Sequence, residues 1–296
     1  MPSSLRSVFD AARRDGWAVG AFNVSNIEEL HAVLRAAQTL EAPVLVEASP
    51  GESDHFGVRT LRAAVDEYRS RYKVQAWLNL DHATDQGKVR EAIESGFDAV
   101  HYDGSKLSVE ENIASLKELV PLAHAKGILV EGEPDHITGI STANSVALKT
   151  LQLPVDYSQP DAFKAFVEAT KIDTAAAFVG NVHGLYDTPK RLDLPLLKQL
   201  RESVDCFLSL HGGSGIPNED IKQAVALGVS KVNVNSELRE AYLDGLRIAT
   251  KEPTELAPYK YLIHAIEAVQ AVVEQKIKLF GSAGRAKSTW IKRAIV

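Results

Sequence analysis

The chain has 296 residues, 45% hydrophobic and 24% charged, with no biased segment, which is enough to fill one large core. A formal net charge of −6 argues against a general nucleic-acid or anionic-membrane binder. A single cysteine, Cys206, excludes an intrachain disulfide and a cysteine-rich zinc module. Its place in a predicted core strand reads as a buried, inert thiol. No apolar run reaches the roughly 18 residues of a membrane helix. Met1–Gly16 is an amphipathic, charged start without a signal-peptide core, so the expected location is the cytoplasm.

Apolar β-type runs alternate with helical-period segments along the whole chain, the pattern of repeated βα units on a parallel sheet. Strands are read near residues 18–23, 43–48, 75–80, 98–102, 128–132, 174–179, 206–210 and 231–234. Helices are read near 27–39, 58–72, 85–95, 109–126, 161–170, 194–203, 218–227 and 236–249. Eight such units close a TIM (β/α)8 barrel, expected as one domain with the barrel over about 17–250 and a C-terminal helix and tail over about 258–296. Two segments exceed this minimum. Pro134–Pro160, after strand five, is rich in Gly, Ser, Thr and Asn and reads as a lid. Tyr261–Phe280 carries an apolar stripe, broken at Gly281–Lys287 before a basic end, and is expected to pack outside the barrel or against another subunit.

In a parallel barrel all C-terminal strand ends share one face, where such folds place their chemistry. Asp81 and His82 end the third predicted strand, Asp103 the fourth, and Glu131 and Glu133 the fifth. His183 follows the sixth and His211 closes the seventh. His82, His183 and His211 would thus aim three imidazoles at one point, a set that suits Zn²⁺ and leaves a fourth position open. His31, His55, His124, His136 and His264 read as structural histidines, while His101 shares the inward face of Asp103. The stretches His211-Gly212-Gly213-Ser214-Gly215 and Asn233-Val234-Asn235-Ser236 follow strands seven and eight, whose loops commonly hold a phosphate through backbone N–H groups. The glycines let backbone approach a ligand, and Ser236 is also suited to capping the next helix.

On these residues the chain resembles the zinc-dependent class II ketose-bisphosphate aldolases, the fructose- and tagatose-bisphosphate enzymes among them. The matching stretches are Ala21-Phe22-Asn23-Val24, Asn79-Leu80-Asp81-His82, Asp103-Gly104-Ser105, Glu131-Gly132-Glu133, Gly180-Asn181-Val182-His183-Gly184, His211-Gly212-Gly213-Ser214-Gly215, Lys231-Val232-Asn233-Val234 and Phe280-Gly281-Ser282-Ala283-Gly284. The resemblance implies His82, His183 and His211 as ligands of one Zn²⁺, with Glu133 as an alternative ligand or a support behind the ligands and Asp103 behind them. It implies Asp81 as catalytic acid/base, and Asn23, Gly184, Gly212, Gly213, Ser214, Asn233, Asn235 and Ser236 as contacts to substrate and phosphate. It further implies dihydroxyacetone phosphate and a phosphorylated ketose as ligands, a monovalent cation near the phosphate site, a role in carbohydrate metabolism, and a homodimer or homotetramer.

Two stretches depart from the family pattern. Glu133-Pro134-Asp135-His136-Ile137-Thr138-Gly139 lacks the usual Leu-Gly and acid cluster, so the loop acid has no evident counterpart, and Asp135 and His136 are the candidates to replace it. Leu256-Ala257-Pro258-Tyr259 stands where relatives have Asp-Pro-Arg, which removes a bidentate cation from the distal phosphate. Arg239, Tyr259, Arg285, Lys287 or a neighbouring subunit remain for that site. The expectation is an aldolase whose acceptor aldehyde need not be glyceraldehyde 3-phosphate. Two rivals stand beside it: a catalytically silent sugar-phosphate binder, favoured only by the missing loop acid, and a barrel metallohydrolase, which needs no glycine cradle beside its metal.

Overall fold

The computed structural model describes residues 4–143, 148, 151–251 and 255–286. Helix α1 (Leu5–Asp15) comes first, with Ser4 accepting from the Ser7 N–H and Gly16 ending it in left-handed backbone. The alternation then runs β1 (Val19–Asn23), α2 (Ile27–Thr39), β2 (Val44–Ala48), α3 (Pro50–Phe56), α4 (Val58–Tyr72), β3 (Ala76–Ala83), α5 (Gln86–Glu94), β4 (Ala99–Tyr102), α6 (Val109–His124) and β5 (Leu129–Gly132). It continues through β6 (Gly139–Ala143), α7 (Pro160–Thr170), β7 (Thr174–Ala176), β8 (His183–Leu185), α8 (Leu194–Ser203), β9 (Phe207–Leu210), α9 (Asn218–Ala226), β10 (Val229–Val234), α10 (Ser236–Lys251), α11 (Pro258–Tyr261) and α12 (Ile263–Leu279). Strands β1, β2, β3, β4, β5, β7, β9 and β10 close a parallel barrel in that order, as the sequence predicts, and β6 pairs with β8 in a separate small sheet.

Side chains pointing into the barrel form layers. At its N-terminal end Val19, Leu45, Trp77, Ala99, Leu129 and Phe207 meet Leu5, Val8, Phe9 and Ala12 of α1. Those four helix residues recur at i, i+3, i+4 and i+7, so the charged first segment is a plug with one apolar face. The middle layer is ionic. Lys231 Nζ lies 2.8 Å from Glu47 Oε1 and 2.6 Å from Glu131 Oε2, Asn79 donates to Glu47 at 2.7 Å, and Ser209 donates to Glu131 at 2.6 Å. Burial pushes Glu47 up to about 8, whereas Lys231 overrides the same burial at Glu131 and holds it well below the usual carboxylate range. The third layer, at the C-terminal mouth, carries Asn23, Asp81, His101, His211 and Asn233, all buried.

Both long segments differ in detail from the reading of the sequence. After β5, Ile137, Leu148 and Tyr157 pack with Ala176, Phe178 and Val182, and β6 pairs with β8, so the described part of the expected lid is anchored to the barrel rim. Residues 144–147, 149 and 150 lie outside the described residues, as do 252–254 and the tail 287–296 with Lys287. The extra C-terminal helix is present, but the helix that covers the seam beside β1 is α12, which packs on α2 and α9. It buries Ala265, Val269, Val273 and Ile277, a stripe with steps of four, and Phe280 O accepts the Ala18 N–H at 3.0 Å. Helix α10 buries only Ser236, Leu238 and Gly245 and stands outside, packed mainly on α12. Cys206 stands just before β9 and is half-buried, not inside the core strand as expected, but burial still pushes its thiol up to about 12, which fits an inert residue. Among the described residues no helix is long and apolar enough to cross a membrane.

Candidate active site

Period-two alternation in β3 turns Asn79 and Asp81 inward and would send His82 toward the helices. The register of β3 on β4 shifts between Leu80 and Ala83, and His82 itself takes φ 48°. A bulge with left-handed backbone at a non-glycine residue costs about 1–3 kcal/mol and is characteristic of functional positions. Here it brings His82 over the barrel mouth beside Asp81. The His82 N–H donates to His101 Nδ1 at 3.2 Å, and its own Nδ1 faces Asp103 Oδ2 at 3.3 Å and Glu133 Oε2 at 3.5 Å.

His183 does not end β7, which stops at Ala176; it opens β8. Its N–H donates to Thr138 O at 2.9 Å and its Nδ1 to Ile137 O at 3.2 Å, so the segment after β5 sets its orientation. His211 follows β9, where its Nε2 donates to Glu131 Oε1 at 2.6 Å and its Nδ1 faces the Asn233 amide at 3.3 Å. The His82 ring lies 4.7 Å from that of His183 and 4.4 Å from that of His211, while the latter two are 6.0 Å apart. The fourth imidazole, His101, is 4.6 Å from His82 and 4.9 Å from His211.

With their Nδ1 atoms turned to acceptors, the Nε2 atoms of His82 and His183 oppose each other at 3.0 Å. Two lone pairs at that distance repel unless a cation lies between them, and without a metal that cation is a proton. Burial opposes a charge on His82, but Asp81, Asp103 and Glu133 override it and raise the imidazole to about 10. Burial and the His82 charge push His211 down to about 3 and His183 well below its usual value, which leaves both neutral, as metal binding requires. Among the described residues, buried Glu133 Oε2 and His101 Nε2 have no hydrogen-bond partner. Asp81, His82, His101 and His211 can each bring one ligand atom within 4.8 Å of the others, as can His82, Asp103 and Glu133. His183 belongs to neither group, its Nε2 lying 3.0 Å from that of His82; imidazoles and carboxylates gathered in this way fit a zinc ion.

Asp81 accepts from Asn23 Nδ2 at 3.0 Å on one oxygen and from Asn233 Nδ2 at 3.2 Å on the other. Burial alone would raise its pKa, but His82, His101 and His211 hold it well below the usual carboxylate range. Asn23, Asp81, His82, His183, Gly184, Gly212, Ser214, Asn233, Asn235 and Ser236 line one cavity with about 300 Å³ of empty space. Gly212 has φ 61°, and a side chain there would run into the Val182 carbonyl; one on Gly213 would lie 2.6 Å from Asn233 O. The loop after β9 is tied to α10 because Glu237 Oε1 accepts the Gly215 N–H at 2.9 Å. Ser236 is the first residue of α10, and Asn235 O accepts the Leu238 and Arg239 N–H groups, so a helix N-terminus borders the cavity. A wider recess at the opposite end, lined by Arg6, Asp10, Arg13, Lys164 and Asp173 among others, gathers no imidazoles among the described residues.

Residues 3–285 match the family model described as class II fructose-bisphosphate aldolase. The chain belongs to that family. It is 40% identical to a fructose-bisphosphate aldolase of Streptococcus pneumoniae over 96% of this chain and 99% of that protein. It is 32% identical to a sulfofructosephosphate aldolase of Alkalicoccus urumqiensis over 96% of this chain and 98% of that one. The solved YdjI aldolase from Escherichia coli K12 superposes with a TM-score of 0.83 at 29% identity, covering 97% of this chain and all of that one. This class II family member is accordingly an aldolase, a lyase acting on a carbon–carbon bond.

Not every residue singled out in this aldolase's sequence reaches the cavity. Arg285 lies at the N-terminal end of the barrel, with its guanidinium 5.9 Å from the Trp17 ring, because α12 returns the chain to the start of β1. Tyr259 is 77% exposed on α11 and does not line the cavity. Asp135 turns to Ser158, and His136 is exposed with Nδ1 3.2 Å from Ser105 Oγ; neither lines the cavity. Arg239 is the distal candidate that stays at the rim, where it donates to Glu52 Oε1 at 2.6 Å while Glu52 Oε2 accepts from Asn23 at 3.1 Å. Glu52 went unrecognised because Ser49-Pro50-Gly51-Glu52 has the pattern of a helix capping box, a role Glu52 also fills for α3 by accepting the Ser49 N–H at 2.8 Å. Glu47 left a visible signal, a carboxylate inside the apolar run of β2. Lys190, buried under the glycine loops, left none in Thr188-Pro189-Lys190.

Proposed function

We propose that this chain is a zinc-dependent aldolase that reversibly cleaves a phosphorylated ketose to dihydroxyacetone phosphate and an aldehyde. One observation carries the reading: the paired nitrogens of His82 and His183, the Asp81 carboxylate and the glycine-bearing loops border the same cavity. His82, His183 and His211 would hold one zinc ion, with Asp103 and Glu133 behind His82. When bound, the ion supplies a positive charge beside the ketose carbonyl oxygen, where negative charge develops. Asp81 acts as base in cleavage. It takes the proton of the hydroxyl on the departing carbon, the O–H electrons become the new carbonyl bond, and the carbon–carbon pair stays on the donor half as an enediolate. Its low pKa keeps it ionised, and Asn23 and Asn233 fix both of its oxygens.

Gly184, Gly212, Ser214, Asn235 and Ser236 would hold the donor phosphate, where the N-terminus of α10 favours an anion. The acceptor half is less constrained. Arg239 is already engaged with Glu52, Tyr259 and Arg285 do not border the cavity, and one relative is named for a sulfofructose phosphate. A fructose- or tagatose-bisphosphate-like ketose is therefore the substrate class, without a strict need for the distal phosphate. Leu243, Ile248, Leu256 and Tyr259, exposed along α10, α11 and their connection, favour a homodimer or homotetramer through that arm. The cytoplasm suits such a metabolic enzyme. Aldol cleavage measured with and without a zinc chelator tests the reading. Chelator-sensitive release of dihydroxyacetone phosphate supports it; phosphate-ester or amide hydrolysis instead, or ligand binding without turnover, would replace it with the hydrolase or the silent binder.

A further inference from the structure

Lys190 is a buried cation that the reaction just described leaves unused. It is 1% exposed, and its Nζ donates to three backbone carbonyls, Gly212 O at 2.7 Å, Val182 O at 2.8 Å and Gly184 O at 3.0 Å. Burial pushes this amine down to about 7, but three carbonyl acceptors match the three N–H groups of an ammonium and exceed the two of a neutral amine, so the geometry favours the charged form. The acceptors come from two separate loops: Val182 and Gly184 flank His183, and Gly212 follows His211. Gly184 and Gly212 also line the cavity. Among the described residues no carboxylate bonds to this ammonium. Glu237, a carboxylate whose charge it feels, is paired with Lys276 at 2.7 Å. Lys231, by contrast, is bracketed by two carboxylates, and its charge is neutralised where it stands.

Converging carbonyl oxygens repel one another and form a cage for a monovalent cation. We propose that Lys190 is a tethered cation: its ammonium fills this cage, locks the loops after β7 and β9 together, and places an unneutralised positive charge behind the phosphate end of the cavity. The chain therefore needs no free potassium or ammonium ion. This rests on the cavity being a phosphate site. Lys190 touches no reacting atom and is a positioning residue. Its tether keeps the cation at high effective concentration, so cation binding is replaced by folding.

The test uses zinc-loaded wild type, Lys190→Ala and Lys190→Met in tetramethylammonium buffer free of sodium, potassium and ammonium. Dihydroxyacetone phosphate binding is followed by calorimetry beside aldol cleavage. Wild type should respond to potassium or ammonium chloride by less than about twofold beyond matched tetramethylammonium chloride. Lys190→Ala should bind dihydroxyacetone phosphate at least about tenfold more weakly, with kcat less affected, and ammonium or potassium should restore it saturably. Lys190→Met, whose side chain fills the cage without charge, should stay weak. Crystals of Lys190→Ala in thallium acetate should show an anomalous peak between the Val182, Gly184 and Gly212 oxygens, absent from wild type. Severalfold stimulation of wild type by potassium overturns the proposal without recourse to any variant. So does a folded Lys190→Ala that binds normally without added cation, or one that no cation rescues and thallium does not enter. If wild type itself fails to bind dihydroxyacetone phosphate, the aldolase reading falls, while the thallium experiment still decides the cage.

Discussion

Replacing Lys231 by methionine keeps most of the side-chain volume and removes the cation held between Glu47 and Glu131. Removing one partner of a buried ion pair costs about 3–5 kcal/mol, because the other charge stays buried without compensation. Two carboxylates lose their partner here, but burial has already pushed Glu47 up to about 8, so it carries a proton at neutral pH. The charge of Glu131 alone then sets the cost. At about 2 °C per kcal/mol for a chain of this size, Tm should fall by about 6–10 °C at neutral pH. In the wild type Glu131 lies below its unfolded value, so its ion pair stabilises fully above about pH 4.3 and is lost as the pH falls further. In Lys231→Met both carboxylates lie above their unfolded values and favour the folded state only while protonated, so the deficit grows as pH rises from about 5 to 8. Thermal unfolding followed by circular dichroism at pH 5, 6.5 and 8 measures it. A variant within about 2 °C of wild type at pH 8, or a deficit larger at pH 5 than at pH 8, refutes this account of the central layer.

His82→Ala, His183→Ala and His211→Ala should each lose bound zinc and aldol cleavage while the barrel stays folded; near-stoichiometric zinc by metal analysis in two of the three would remove the assignment. Asp81→Asn should retain zinc and lower the rate roughly 100- to 10,000-fold, and a variant within about threefold of wild type would exclude Asp81 as the acid/base. Gly212→Ala should weaken dihydroxyacetone phosphate binding measured by calorimetry, because its φ of 61° and the Val182 carbonyl leave no room for a methyl group; unchanged binding would show that the loop adapts. Wild-type kcat/KM for fructose 1,6-bisphosphate should exceed that for a ketose 1-phosphate of equal length by less than about tenfold, or roughly 1.4 kcal/mol. A larger preference that Arg239→Met abolishes would show instead that Arg239 leaves Glu52 to hold the distal phosphate.

The eight-unit barrel was legible because each core strand is an apolar run of a few residues bounded by polar ones, and a helical period separates it from the next. The same local rule exposed Asp81, Asp103, Glu133 and His211: a carboxylate or imidazole that stops an apolar strand lies at its C-terminal end wherever that strand stands in the barrel. Properties set by long-range packing were not legible. That α12 rather than α10 covers the seam beside β1 depends on which stripe fits α2 and α9, a comparison between surfaces far apart in sequence. Its return to Ala18 also carries Arg285 to the wrong end of the barrel for a distal phosphate. His82 faces inward only through a bulge and a left-handed residue, and alternation alone assigns it the opposite face. Glu47, Glu131 and Lys231 become one ionic layer, and Lys190 a cation on three carbonyls, only when strands and loops far apart in the sequence close around them. Periodicity along a chain records which face of its own element a residue occupies; the charge or carbonyl that meets it there belongs to another element, and only closure of the barrel chooses it.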